Sequence, residues 1–260
     1  MTTQQTFIAL VTLGFSCLSF ADATLDEISF DRPGTGFSTS TVPVGRLAWE
    51  QSLANAQYFE YQNDIGQKVK QTQVYADTLL RTGLSDGLEL QLGWQGPAWS
   101  KTKVAGQSIE DDGLGDVSIG LKKEIDLADD QLSMALLAQA VIATGNDNFS
   151  IQDDLYSLGS AVSYEYSDKL TTSMSMFYAV QDGRWRVTAV PTIEYTLGSK
   201  FGGYSELVYS KAEGLDYEYS LGSGVTYAVN QRLQLDTSFG IGLNGHGDQY
   251  QAGLGFAYAF

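Results

Sequence analysis

The chain has 260 residues, a net charge of −16, 28 glycines, 12 % aromatic residues and only 4 prolines. That acidity leaves no basic patch to meet phosphates and argues against nucleic-acid binding. Glycine and aromatics in this mixture suit many twisted strands better than helices. No segment approaches the roughly 18 consecutive apolar residues of a transmembrane helix.

Residues 1–23 read as a secretory signal: an apolar run from Phe7 to Phe20 precedes Ala21-Asp22-Ala23, with cleavage expected near Ala23. The run departs from the usual pattern in having no Lys or Arg before Phe7. Cys17, the only cysteine, falls within it behind a poor lipobox, Gly14-Phe15-Ser16. The mature chain then has no thiol, and no disulfide or Cys-based metal site is expected. No other cofactor is expected either. Residues 24–44 carry Pro33, Pro43, Gly34 and Gly36 and read as irregular chain. They would either enter one mouth of the fold as a partial plug, with Arg32 pairing a carboxylate inside, or hang as a loose tail.

From residue 45 to 260 the pattern has period two, which is that of a β-strand. Twelve segments result, at 45–54, 69–82, 87–96, 114–125, 131–143, 154–166, 169–180, 184–198, 200–211, 215–229, 231–243 and 249–260. Leu132, Met134, Leu136, Ala138 and Ile142 share one face of the fifth, and Leu233, Leu235, Phe239, Ile241 and Leu243 one face of the eleventh. The opposite faces are rich in Gly, Ser and Thr. Every second link is short, whereas 55–68, 97–113 and 145–153 read as longer loops. Acidic groups at Glu110-Asp111-Asp112, Asp129-Asp130 and Asp153-Asp154 are placed in loops. An even strand count and alternating link lengths predict an all-β, transmembrane, antiparallel up-and-down β-barrel, closed so that no edge meets lipid. The last segment ends on Phe256, Tyr258 and Phe260, a terminal aromatic run of the kind read by the outer-membrane assembly machinery.

Three stretches resemble a known family. They are Asp31-Arg32-Pro33-Gly34 with Pro43-Val44-Gly45-Arg46-Leu47-Ala48-Trp49-Glu50, then Leu79 to Leu90, and Gly113 to Lys122. Together they resemble the outer-membrane barrel transporters grouped under the MetA-pathway of phenol degradation. The resemblance implies an outer-membrane channel for passive uptake of small molecules, hydrophobic or aromatic ones among them. It implies no established catalytic or binding residue. The partners expected are the lipid bilayer, lipopolysaccharide, the assembly machinery and a small-molecule permeant.

By parity, Arg46, Glu50, Asp77, Arg81, Glu89, Lys122, Glu124, Arg184, Arg186, Glu194 and Glu206 face the lumen, with Asp216, Glu218 and Asp236. Unpaired charges in a narrow interior are costly. The set reads either as a structural lattice of ion pairs or as a constriction that selects permeants by charge. Against an enzyme stands the supply of bases: one histidine, His246, in a predicted tight turn. Asp111-Asp112 and Asp153-Asp154 match no calcium-loop spacing. The competing reading to a channel is a non-transporting structural or adhesion barrel whose acidic external loops meet partners.

Overall fold

The computed structural model describes residues 28–63, 65–244 and 247–260. The expected signal sequence 1–23, with Cys17 and the Ala21–Ala23 cleavage region, and His246 lie outside the described residues. The strands are β1 (Leu47–Gln62), β2 (Lys68–Tyr75), β3 (Thr78–Ser85), β4 (Leu88–Trp94), β5 (Pro97–Val104), β6 (Gln107–Leu114), β7 (Val117–Ile125) and β8 (Leu132–Ile142). They continue as β9 (Leu155–Ser167), β10 (Leu170–Gln181), β11 (Arg184–Thr196), β12 (Phe201–Ala212), β13 (Tyr217–Ala228), β14 (Leu233–Gly242) and β15 (Gly247–Ala259). Every pairing between these strands is antiparallel, and β15 returns to β1 from Ala48 opposite Ala259 to Tyr61 opposite Gly247. The sheet is therefore closed.

Twelve strands circle the barrel, as expected, because three of them are broken in two. β2 with β3, β4 with β5, and β6 with β7 break at Ala76-Asp77, Gln95-Gly96 and Gly115-Asp116, beside a bulge in β1 between Ser52 and Ala54. Backbone bonds cross these breaks: Ser52 N–H to Asp77 O at 2.8 Å, Ala76 N–H to Pro97 O at 3.1 Å and Gln95 N–H to Asp116 O at 2.9 Å. The wall thus bends along one line without losing its ladder. Gly96 sits on that line with φ +69°, and a Cβ there would strike the Ala76 carbonyl. Only glycine meets both demands.

Above the bend the structure departs from the sequence reading. Residues 55–68 and 97–113, expected as loops, are mostly strand: β1 runs on to Gln62, and β2, β5 and β6 pair beside it as a projecting sheet. β2 falls within the strand expected at 69–82, whereas Gln107–Leu114 is largely polar on both faces, as befits a strand that rises beyond lipid into water. Apolar alternation, the signal that located the other strands, is absent there. Glu110, Asp111 and Asp112 accordingly lie on β6 and not in a loop. Residues 145–153 are a loop, as expected.

Outward positions are apolar and exposed, among them Leu80, Leu92, Ile119, Leu136, Leu158 and Ile193. A protein living in water would rarely carry so extensive an exposed apolar belt. Aromatic pairs edge it near the strand ends, with Tyr164–Tyr166 at 4.6 Å and Phe201–Tyr227 at 4.8 Å between ring centroids. Such girdles mark the lipid–water interfaces of transmembrane barrels. The start of β1, Phe260 and the turns at 86–87, 126–131, 168–169, 197–200 and 229–232 share one end, the near rim. The other end is the far rim.

Candidate functional site

Period two brings Arg81 on β3, Glu89 and Gln91 on β4, Lys122 on β7 and Glu50 on β1 to the inner face. On one side Arg81 faces Ala48, Glu89 faces Gly83 and Gln91 faces Gly120, while on the other Arg81 pairs with Gln91 and Glu89 with Lys122. That spacing leaves room for long side chains to reach across one another. Arg81 is fully buried and forks, donating to Glu89 Oε1 and Oε2 at 2.9 and 3.0 Å and to Glu50 Oε1 at 2.8 Å. Lys122 lies 3.5 Å from Glu89 and 3.4 Å from Asp31. Burial alone would disfavour every one of these charges; the pairing and the bidentate geometry offset that cost.

Asp31 comes from residues 28–44, which run as irregular chain inside the barrel and dock on carboxylates of its wall. The Asp31 and Arg32 N–H groups donate to Glu50 at 3.1 and 2.8 Å, and Val42 N–H donates to Glu89 at 2.7 Å. Thr35 donates its N–H and its hydroxyl, the latter at 2.6 Å, to Glu206 on β12. Arg32 donates to Asp236 on β14 at 2.9 Å and reaches Asp77 at 3.5 Å. Phe37 supplies the apolar anchor, packing on Ala135, Leu137 and Ala161 and 5.5 Å from the Phe177 ring. Within this network three cations, Arg32, Arg81 and Lys122, face six carboxylates, Asp31, Glu50, Asp77, Glu89, Glu206 and Asp236.

Close approach at Gly83 completes the docking. Val44 bridges to it, and a Cβ at Gly83 would collide with the Val42 and Pro43 carbonyls. Gly83→Ala is therefore expected to lift residues 42–44 from the wall and raise their protease sensitivity, with the barrel itself still folded. Unchanged cleavage at 42–44 would show that the contact carries no docking energy.

Burial pushes the Asp31 carboxyl upward, but the Arg81 and Lys122 charges and two bonds from Ser38 outweigh it and hold the group at about 2, below the usual 3.8. A depressed value means that Asp31 stabilises the docked segment above about pH 4 and that this contribution fades as pH falls toward 2. Segment release measured by protease is thus expected to be flat from pH 7 to about 5 as far as Asp31 governs it, and to rise below about pH 4. Glu50 and Glu89 face the same group and bound how far acid release can be assigned to Asp31 alone; Asp31→Asn should abolish the part that is its own.

The other residues expected at one site are dispersed. Asp77 stands at the wall's bend and joins through Arg32. Glu206 and Glu194 line a cavity of about 1390 Å³ between residues 28–40 and the inner faces of β9 to β14, with Ser173, Thr192, Tyr204 and Thr226. Arg46 and Glu124 sit at the near rim; Glu124 accepts a bond from Thr41 at 3.3 Å. Arg184 and Arg186 are exposed beside the Asp182-Gly183 turn at the far rim, where Arg186 lies 3.6 Å from Glu218. They form no ring with Arg81 and Lys122, because parity fixes the face but not the height along the barrel. Asp216 lies just before β13, outside the strand, and is exposed. Phe256, Tyr258 and Phe260 point outward on the closing strand, Phe256 packing edge-on against Trp49 at 5.0 Å.

Sequence reasoning missed Asp31, Gln91, Ser38 and Asp116. Two lysine or arginine residues on one inner face demanded counter-charges, and Asp31 beside Arg32 was a candidate in plain view. Among the described residues, no group of three or more His, Cys, Asp and Glu is arranged to hold a metal ion.

No curated protein matches this sequence. The fold is similar to that of the COG4313 outer membrane channel from Pseudomonas putida F1, with a TM-score of 0.63 and 13 % identity over 88 % of this chain and 99 % of that one. It is also similar to the translocator domain of autotransporter NalP from Neisseria meningitidis (TM-score 0.55, 9 % identity, 89 % and 91 % covered). A third likeness is to the KdgM porin in complex with disordered oligogalacturonate (TM-score 0.52, 13 % identity, 79 % and 99 % covered). At such identities these likenesses speak for the fold, an outer-membrane β-barrel. The sequence pattern of the family described as "Putative MetA-pathway of phenol degradation" matches residues 30–260, and the chain belongs to that family.

Proposed function

We propose that the chain is an outer-membrane channel that passes small molecules passively, with neutral aromatic compounds as its permeant class, and that residues 28–44 are its partial plug. The observation that carries the reading is the cavity of about 1390 Å³ within the barrel. An eight-stranded barrel is filled by its own side chains, whereas twelve strands leave lumen to spare. Here the spare volume is lined by hydroxyls of Ser173, Thr192 and Thr226 and by the Tyr204 and Phe37 rings. Hydroxyls suit the polar group of a phenol-like solute, and rings suit its flat face. An excess of carboxylates over cations in the interior disfavours anions. The family's description supports the aromatic class, and the two channels among the similar folds support passage of solutes as such. Glu194 and Glu206 are the carboxylates best placed to act on a permeant.

No catalytic step belongs to this reading. The outer belt meets lipid, the far rim meets lipopolysaccharide, and the terminal run Phe256, Tyr258 and Phe260 engages the assembly machinery. The test is influx into vesicles holding the refolded mature chain, comparing phenol-like compounds, small sugars and inorganic anions with empty vesicles. Faster influx of neutral aromatics than of anions is expected. Influx of no solute class by verified folded protein would favour a structural or adhesion barrel instead.

A further inference from the structure

The far mouth holds an arrangement outside the charged lumen cluster. β8 ends at Ile142 and β9 begins at Leu155, so the wall is low there. β6 rises beyond it with β5 as its only strand partner. Residues 143–154 fill the gap. Asp116, at the break between β6 and β7, is 1 % exposed and has no ion-pair partner among the described residues. Its carboxylate instead accepts the N–H groups of Thr144 at 2.9 Å, Gly145 at 2.8 Å and Ile151 at 2.8 Å. Both halves of the segment are thereby drawn to one buried charge.

Further bonds fix the direction in which the segment leans. Asn146 and Leu114 bond reciprocally: Leu114 N–H donates to Asn146 Oδ1 at 2.7 Å, and Asn146 N–H donates to Leu114 O at 2.9 Å. Gln181, an inward residue at the end of β10, donates to Ile151 O at 2.7 Å and Asp153 O at 3.0 Å. Phe149 is 4 % exposed and meets the Tyr75 ring edge-on at 6.3 Å. It also lies against Gly113, where a Cβ would press into its ring. Tyr75 and Gly113 share the inner face of the projecting sheet, because Tyr75 pairs with Asn55 and Ala98, and Ala98 with Gly113. Gln152 adopts φ +73°, uncommon without glycine, and its side-chain amide donates to Asp147 O at 2.7 Å. The segment is thus built to one shape, with its aromatic ring inside the mouth.

We infer that residues 143–154 form a second constriction of the passage, folded into the far mouth, and that Asp116 is the positioning residue that holds it there. The inference rests on the channel reading above and adds to it where larger solutes are stopped. Asp116 touches no permeant; it acts through the backbone of the segment. A carboxylate can accept three N–H groups at once, whereas asparagine brings an amide donor to the same place and repels them.

The test uses the mature full chain in vesicles, with Asp116→Asn and Phe149→Ala, and folding verified by heat-modifiable migration. Proteolysis within 143–154 and influx of neutral sugars of increasing size are measured together. Both variants are expected to be cut faster than wild type in this segment and to admit the larger sugars several-fold faster. Phe149→Ala leaves Asp116 in place and carries the test should Asp116→Asn not fold. A segment as protected as in wild type, or one released with influx of larger sugars unchanged, overturns the inference. Wild-type influx no faster than that of empty vesicles counts against the channel reading, and the difference between variant and wild type judges the constriction.

Discussion

Arg81→Met is expected to destabilise the folded barrel by about 3–5 kcal/mol, the scale on which removing one partner of a buried ion pair acts. Methionine matches much of the arginine's volume, so packing changes little and the electrostatic loss dominates. Glu50 would keep only the Asp31 and Arg32 N–H groups. Glu89 would keep Lys122 at 3.5 Å, Gln91 and Val42 N–H. Neither carboxylate can reach bulk water without displacing residues 29–38. Denaturant unfolding of the refolded barrel in lipid vesicles measures the loss. Arg186→Met is the contrast, since its pair with Glu218 is exposed on both sides, and a change within about 1 kcal/mol is expected. An equally small change for Arg81→Met would mean that the cluster is hydrated and is no lattice.

Deleting residues 28–40 is expected to raise ion conductance and solute influx several-fold while the barrel still folds. The segment takes its hold from groups that water can replace once it leaves: Glu206 and Asp236 would exchange Thr35 and Arg32 for solvent, in a lumen then open to it. Arg32→Ala should act in the same direction and more weakly. It removes the charge-assisted pairing with Asp236, worth about 1.5–3 kcal/mol, which would raise the undocked fraction roughly ten- to hundredfold. Planar-bilayer recording reads both. Conductance unchanged by the deletion would show that residues 28–44 line the passage without restricting it.

The barrel was legible in the sequence wherever strands cross lipid, because there the period-two contrast between Leu221 or Phe239 and their serine and glycine neighbours is forced by two different solvents. It was illegible at the end of β1, in Pro97–Val104 and in Gln107–Leu114, where strands expected as loops rise into water and nothing selects one parity over the other. Parity alone put Glu50, Arg81, Glu89 and Lys122 on the inner face, and Arg32 lies 2.9 Å from a carboxylate of the wall, Asp236. Height was lost, so Arg184 and Arg186 were grouped with residues half a barrel away. The path of residues 28–44 was out of reach for a different reason. Its anchors are backbone N–H groups of Asp31, Thr35 and Val42, which every residue but proline carries and which leave no mark in a sequence. Asp116 was missed likewise, since its three partners are backbone N–H groups.

The most direct measurement of the central claim is single-channel conductance of the folded mature chain in a planar bilayer, recorded beside the 28–40 deletion. Small discrete steps for the full chain, larger steps for the deletion and a preference for cations over anions in both are the results expected of a plugged channel with a carboxylate-rich lumen. Silence from both proteins, with folding verified, would contradict the channel and leave a structural barrel.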